Sequence, residues 1–103
     1  MININGTEYG LFWSVGAHLE YDAWVLAHQG ATYSDAIVEQ ACIMSKAYDE
    51  AHGIERGGFT RSDIKNLPAR FLDELIDAAN AQVKADTEVT VETKPGKKAA
   101  AGS

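Results

Sequence analysis

Over the first thirteen positions apolar side chains alternate with polar ones, and an Asn5-Gly6 dipeptide divides the alternation. Asn-Gly tolerates the positive φ angles of a type I′ turn. Ile2 and Ile4 before it, with Tyr9, Leu11 and Trp13 after it, therefore predict a β-hairpin. A two-residue loop pairs Ile4 with Thr7 and Ile2 with Tyr9, which leaves one apolar face. A lone hairpin is marginal in water, so this face must lie on helices.

Beyond Trp13 the period changes to that of helices. Ser14 suits an N-cap, opening a helix to about Gln29 with Gly30 as its stop. Val15, Leu19, Ala23 and Leu26 form one stripe on it; Ala17, Tyr21, Trp24 and His28 form a second, roughly opposite. A helix apolar on two sides is usually central and buried, and the alternative is an aromatic docking surface. Thr32 or Ser34 caps the next helix, which runs to His52 and stops at Gly53. Ile37, Ala41, Met44, Tyr48 and Ala51 make its apolar stripe, with Asp35, Glu39, Lys46, Asp49 and Glu50 opposite.

The stretch from Ile54 to Phe59 holds Gly57-Gly58 and predicts a flexible loop. Thr60 with Asp63 resembles a capping box that starts a short turn through Asn66. Pro68 fits the first position of a last helix, striped by Phe71, Leu72, Leu75, Ile76, Ala79 and Val83. After Lys84 that pattern ends. Thr87 to Thr93 alternates Val with Thr and Glu, compatible with a short strand, and Lys94 to Ser103 has the composition of a flexible tail. The expected fold class is α+β and predominantly helical: an N-terminal β-hairpin on about four α-helices, with a disordered C-terminal tail. Residues 1–84 are the single domain and 85–103 the tail.

Composition narrows the function. With 103 residues, 46% apolar and 23% charged, the chain can bury one small core. The net charge of −6 resides wholly in residues 1–84, where twelve acids face six bases. Such a body repels phosphate backbones and anionic bilayers, so neither nucleic acid nor membrane is an expected partner. One cysteine, no leader pattern and no long apolar run predict a cytoplasmic protein.

No catalytic, metal or cofactor constellation is expected. His18, His28 and His52 are not at ligand spacing, and Cys42 faces no obvious base, as a small semi-buried apolar residue would. Asp49-Glu50 and Asp73-Glu74 are expected to be solvated surface. Two features remain. One is the aromatic set, in which buried core residues weigh against partner anchors. The other is the loop, whose Ile54 and Phe59 exceed what a mere connection needs. Trp13, Tyr21, Trp24, Ile54 and Phe59 are accordingly the candidate partner-binding residues.

The opening Ile2-Asn-Ile-Asn-Gly-Thr-Glu-Tyr-Gly-Leu, followed by Ser14-Val-Gly-Ala, resembles the start of tail assembly chaperones of long-tailed bacteriophages and prophages. Leu67-Pro-Ala-Arg-Phe-Leu-Asp-Glu-Leu-Ile-Asp-Ala looks like the end of their helical body. The resemblance covers residues 1–84 in layout. It implies a non-enzymatic protein of the host bacterial cytoplasm, absent from finished virions. Such a protein coats the hydrophobic tape measure protein until tail-tube subunits displace it, with self-association possible. A longer form made by ribosomal frameshifting is also a family trait, and Gly96-Lys97-Lys98 could be encoded by a slippery run.

Two other classes compete with it. A structural tail-completion or head–tail connector protein is the first; it would persist in purified virions, whereas a chaperone would not. A small helical DNA-binding regulator is suggested by the turn-helix arrangement at Thr60–Phe71. Its last helix, however, carries only Arg70 and Lys84 against Asp73, Glu74 and Asp77.

Overall fold

A computed structural model describes residues 1–92, with side chains as far as residue 88. The hairpin forms as its turn chemistry requires. Strands β1 (Ile2–Ile4) and β2 (Thr7–Tyr9) pair antiparallel, Ile2 opposite Tyr9 and Ile4 opposite Thr7. Asn5 and Gly6 take positive φ of 52° and 88°, as a type I′ turn demands. Ile2, Ile4 and Tyr9 are buried on the inward face.

Four helices follow: α1 (Val15–Ala27), α2 (Tyr33–Ala51), α3 (Arg61–Ile64) and α4 (Phe71–Glu92). Ser14 caps α1 through its hydroxyl, which accepts the Ala17 N–H at 3.0 Å. Thr32, rather than Ser34, caps α2, accepting the Asp35 N–H at 3.1 Å. The α2 helix ends in a Schellman turn. Gly53 takes a φ of 68°, its N–H donates to Glu50, and the Ile54 N–H reaches back to the Asp49 carbonyl at 2.8 Å. At α3 the Thr60 N–H donates to the Asp63 carboxylate at 2.8 Å, so the expected acidic cap forms.

The organising element is α2, which contacts α1, α3 and α4. Its Ala41 and Met44 are wholly buried, with Leu75 and Ala79 of α4, the hairpin's inner residues, Leu11, Phe59 and Ile64 in the same core. The strand-like segment after β2 lies directly along α2. There Phe12 N–H donates to the Met44 carbonyl at 3.0 Å, and Gly10 passes so near the Tyr48 ring that no Cβ would fit.

Four expectations change. Helix α1 is not the central helix; that place belongs to α2, and α1 packs against one side of it. Pro68 opens a turn of i→i+3 bonds instead of the helix itself, which starts at Phe71. Residues 85–92 are neither tail nor strand: α4 runs on to Glu92. The Asp86 carboxylate there accepts the Trp13 N–H at 2.8 Å and contacts with Gln82 at 3.2 Å, tying the added turns to the body. The expected flexible tail from 93 onward lies outside the described residues.

The fourth change concerns Asp49 and the loop. Asp49 is fully buried, not solvated. Its carboxylate receives two parallel bonds from Arg56, Nε to Oδ2 and Nη2 to Oδ1, each 2.9 Å, and the Gly58 N–H at 2.7 Å. Next to it the Ser45 hydroxyl accepts the Phe59 N–H at 3.0 Å and donates to the Cys42 carbonyl at 2.8 Å. The loop expected to be flexible is thus pinned at three positions, Arg56 through its side chain and Gly58 and Phe59 through their backbone. Gly57 and Gly58 supply the positive φ values, 78° and 77°, that let the chain close so tightly.

Two stability predictions come from this lock. The hydrogen bonds from Arg56, then the Gly58 N–H, hold the Asp49 carboxyl below the usual carboxylate range despite its burial. A folded pKa below the unfolded one adds stability that is complete above about pH 4 and drains as pH falls through the lowered value. Urea denaturation between pH 7 and pH 2.5 should show an acid-side loss that Asp49→Asn flattens while lowering stability at pH 7. Separately, a Cβ on Gly58 would meet the Lys46 backbone nitrogen at 2.5 Å at a φ unfit for L residues. Gly58→Ala should therefore cost about 2–4 kcal/mol in the same assay, from left-handed backbone strain together with the displacement from Lys46 that the added Cβ forces.

Candidate docking surface

Three of the five candidate residues form a row. Trp13 stacks on His18 with centroids 5.0 Å apart and meets Tyr21 edge-on at 6.0 Å. Tyr21 stacks on Trp24 at 6.5 Å, and Trp24 on His28 at 4.5 Å. His28 Nδ1 donates to the Trp24 carbonyl at 2.9 Å, which fixes the last ring at the helix end. The rings of α1 recur every three or four residues, so helical geometry alone places them in line. All three candidates are half-buried, and Trp13 packs against the core. Burial, with Tyr33 and Asp22 close by, pushes the Tyr21 phenol up.

The other two do not join this row. Phe59 is 2% exposed and packs edge-on against Tyr9 at 5.3 Å, so it is a core residue with nothing to offer a partner. Its loop looks excessive in sequence because it carries a core side chain inward. Ile54 stays on the surface at 38% exposure, as the residue that completes the Schellman turn.

The surface that stands out is the stripe the sequence assigned to burial. Val15, Leu19 and Leu26 are 79%, 64% and 72% exposed. At about 100° per residue they share one line along α1. A surface helix ordinarily turns such a line to the core and its polar side to water. Here the aromatic row takes the partly buried position, and the aliphatic line is left facing water. One sign of this is present in the sequence. Asp22 falls on the same line between Leu19 and Leu26, and a carboxylate without a partner from another element keeps a stripe wet. Among the described residues it pairs with His18 of its own helix, at 3.4 Å. Glu20 lies off the stripe, on the side toward α2, where it is bonded to Lys46 at 2.8 Å. The result is an exposed aliphatic line interrupted by one carboxylate.

Conventional chemistry is thin elsewhere. Burial pushes the Cys42 thiol up to about 12, so it is not a nucleophile near neutral pH. Among the described residues no His, Cys, Asp or Glu group is arranged to hold a metal ion, and no helix is long and apolar enough to cross a membrane. Comparison with protein-family models, curated proteins and solved structures finds no match to this chain.

The two kinds of candidate separate by mutation. Phe59→Ala should destabilise the domain by about 3–5 kcal/mol, as removal of a buried ring does. Leu19→Asp with Leu26→Asp should leave stability within about 1 kcal/mol and reduce binding of a hydrophobic dye. Chemical denaturation and dye fluorescence on the two variants read both effects.

Proposed function

We propose that this chain is a non-enzymatic tail assembly chaperone of a long-tailed phage or prophage, holding the hydrophobic tape measure protein soluble in the host cytoplasm. The single observation carrying this reading is the exposed aliphatic line of α1. A long helical client with an apolar stripe presents the same problem from the other side: surface that must be covered without being locked away. Val15, Leu19 and Leu26 would lie against that stripe, while the net negative charge of the body keeps coated clients apart.

The energetics suit a removable coat. Three aliphatic side chains contribute about 1.5–3 kcal/mol each when fully buried. Association alone costs about 4–15 kcal/mol. One copy therefore binds weakly, and useful coverage comes from many copies along one client. Weak contacts at each copy leave polymerising tube subunits able to displace the coat.

Co-expression with the tape measure protein of the same phage or prophage, followed by affinity capture, tests this. A soluble complex, with the client insoluble when expressed alone, is the expected result, and the Leu19→Asp, Leu26→Asp variant should lose it while staying folded. A client that stays insoluble with nothing co-purifying would refute the chaperone reading. Finding the chain in purified particles would favour a structural tail-completion or connector role.

A further inference from the structure

A second surface differs from the first in both place and charge. Where α3 hands over to α4, an open groove of about 330 Å³ lies against α2. Val38, Ile64, Leu67, Phe71 and Leu72 line it, and all but Ile64 are half-buried rather than sealed. Val38, Leu67 and Phe71 also touch the core, so the groove floor is rigid. Its volume is at the small end of the range for ligand pockets, about 300–1,000 Å³, room for one or two apolar anchors. It shares no lining residue with the aliphatic line of α1.

Charge decides what belongs there. Only six bases stand in residues 1–84, and four are engaged: Lys46 with Glu20, Arg56 with Asp49, Arg61 with Asp35 and Glu39, and Lys84 with Glu88. Lys65 and Arg70 are the two that form no ion pair among the described residues, and both are exposed. Lys65 lines the groove and Arg70 stands between the lining residues Ala69 and Phe71. On a body of net negative charge, these two exposed cations therefore stand at the edge of this apolar groove. Like-charged partners are repelled from such an edge and carboxylates are drawn to it.

We propose that this groove is a docking site for an acidic amphipathic segment of a protein partner. Its apolar side chains would occupy the space between Val38, Leu67 and Leu72, and its carboxylates would meet Lys65 and Arg70. The site is independent of the α1 line and of the chaperone reading. A protein that holds one chain on α1 would then be free to engage a second at the start of α4.

The test uses the full chain and a synthetic amphipathic helical peptide with leucines at i, i+4 spacing and flanking glutamates, beside a counterpart with lysines for the glutamates. Fluorescence anisotropy should show the glutamate peptide binding about tenfold tighter than the lysine one, with a preference that weakens as salt rises. Backbone amide shifts should map to residues 61–72. The Lys65→Glu, Arg70→Glu variant, altered only at exposed positions, should invert the preference, and Lys65→Gln, Arg70→Gln should abolish it. Absence of binding, equal affinity for the two peptides, shifts confined to Val15–Leu26, or a preference unchanged in the variants would each overturn the proposal.

Discussion

Everything from Asp49 to the hairpin depends on one buried carboxylate keeping its donors. A carboxylate stripped of water is costly, and only a full set of hydrogen bonds makes the position tolerable. Asp49 has that set: a bidentate guanidinium and a backbone N–H, all from residues seven to nine positions along. The geometry admits one path for the chain, a Schellman turn at Gly53 and then two glycines at positive φ. That path delivers Phe59 into the core beside Tyr9. Arg56, held by Asp49, lies 4.1 Å over the same Tyr9 ring. The hairpin is thus clasped between a buried ring and a paired cation. A buried ion pair is weak evidence of net stability, but it is good evidence of register, since no shifted loop would satisfy the carboxylate.

With its loop, hairpin and partner helices in place, α2 is enclosed, and the outer helices differ in how they face water. The exposed side of α4 carries Asp73, Glu74, Asp77 and Lys84, as an ordinary amphipathic helix would. The exposed side of α1 carries Val15, Leu19 and Leu26. Small domains expose some apolar surface of necessity. Necessity spreads such residues; it does not align three large ones on a single helix while its counterpart is properly polar. This contrast is why the α1 line is read as a working surface.

Local chemistry was legible in the sequence, and contacts between distant residues were not. The Asn5-Gly6 turn, the pairing of Ile2 with Tyr9, the Thr32 cap, the Gly53 stop and the Thr60–Asp63 cap all rest on residues within a few positions of one another, and they appear as expected. Asp49 was misplaced because periodicity reports an angle and is blind to a donor across a glycine loop. The turns of α4 beyond Lys84 were missed because β-branched residues signal strand locally, while Asp86 is bonded to Trp13, seventy-three residues away. On α1 the two stripes were found but their roles were exchanged. Stripe geometry cannot say which side meets α2, although Asp22 within the aliphatic line pointed to water.

The two surfaces also divide the electrostatics of the domain. The α1 line carries Asp22, so an apolar partner there meets a carboxylate; the groove has Lys65 and Arg70 at its edge, so a partner there meets two cations outside the ion pairs of the described residues. Borders of opposite sign cannot favour the same amphipathic partner, because the charge that draws a segment to one repels it from the other. Nor do they need to be far apart for this to work, since selection acts through sign. On the two readings proposed above, a chain of this size holds two separate specificities by leaving two apolar strips uncovered and bordering them differently. The fold makes that possible by placing the other four bases of residues 1–84 in ion pairs, with Arg56 at Asp49 the one it could not release without losing the loop.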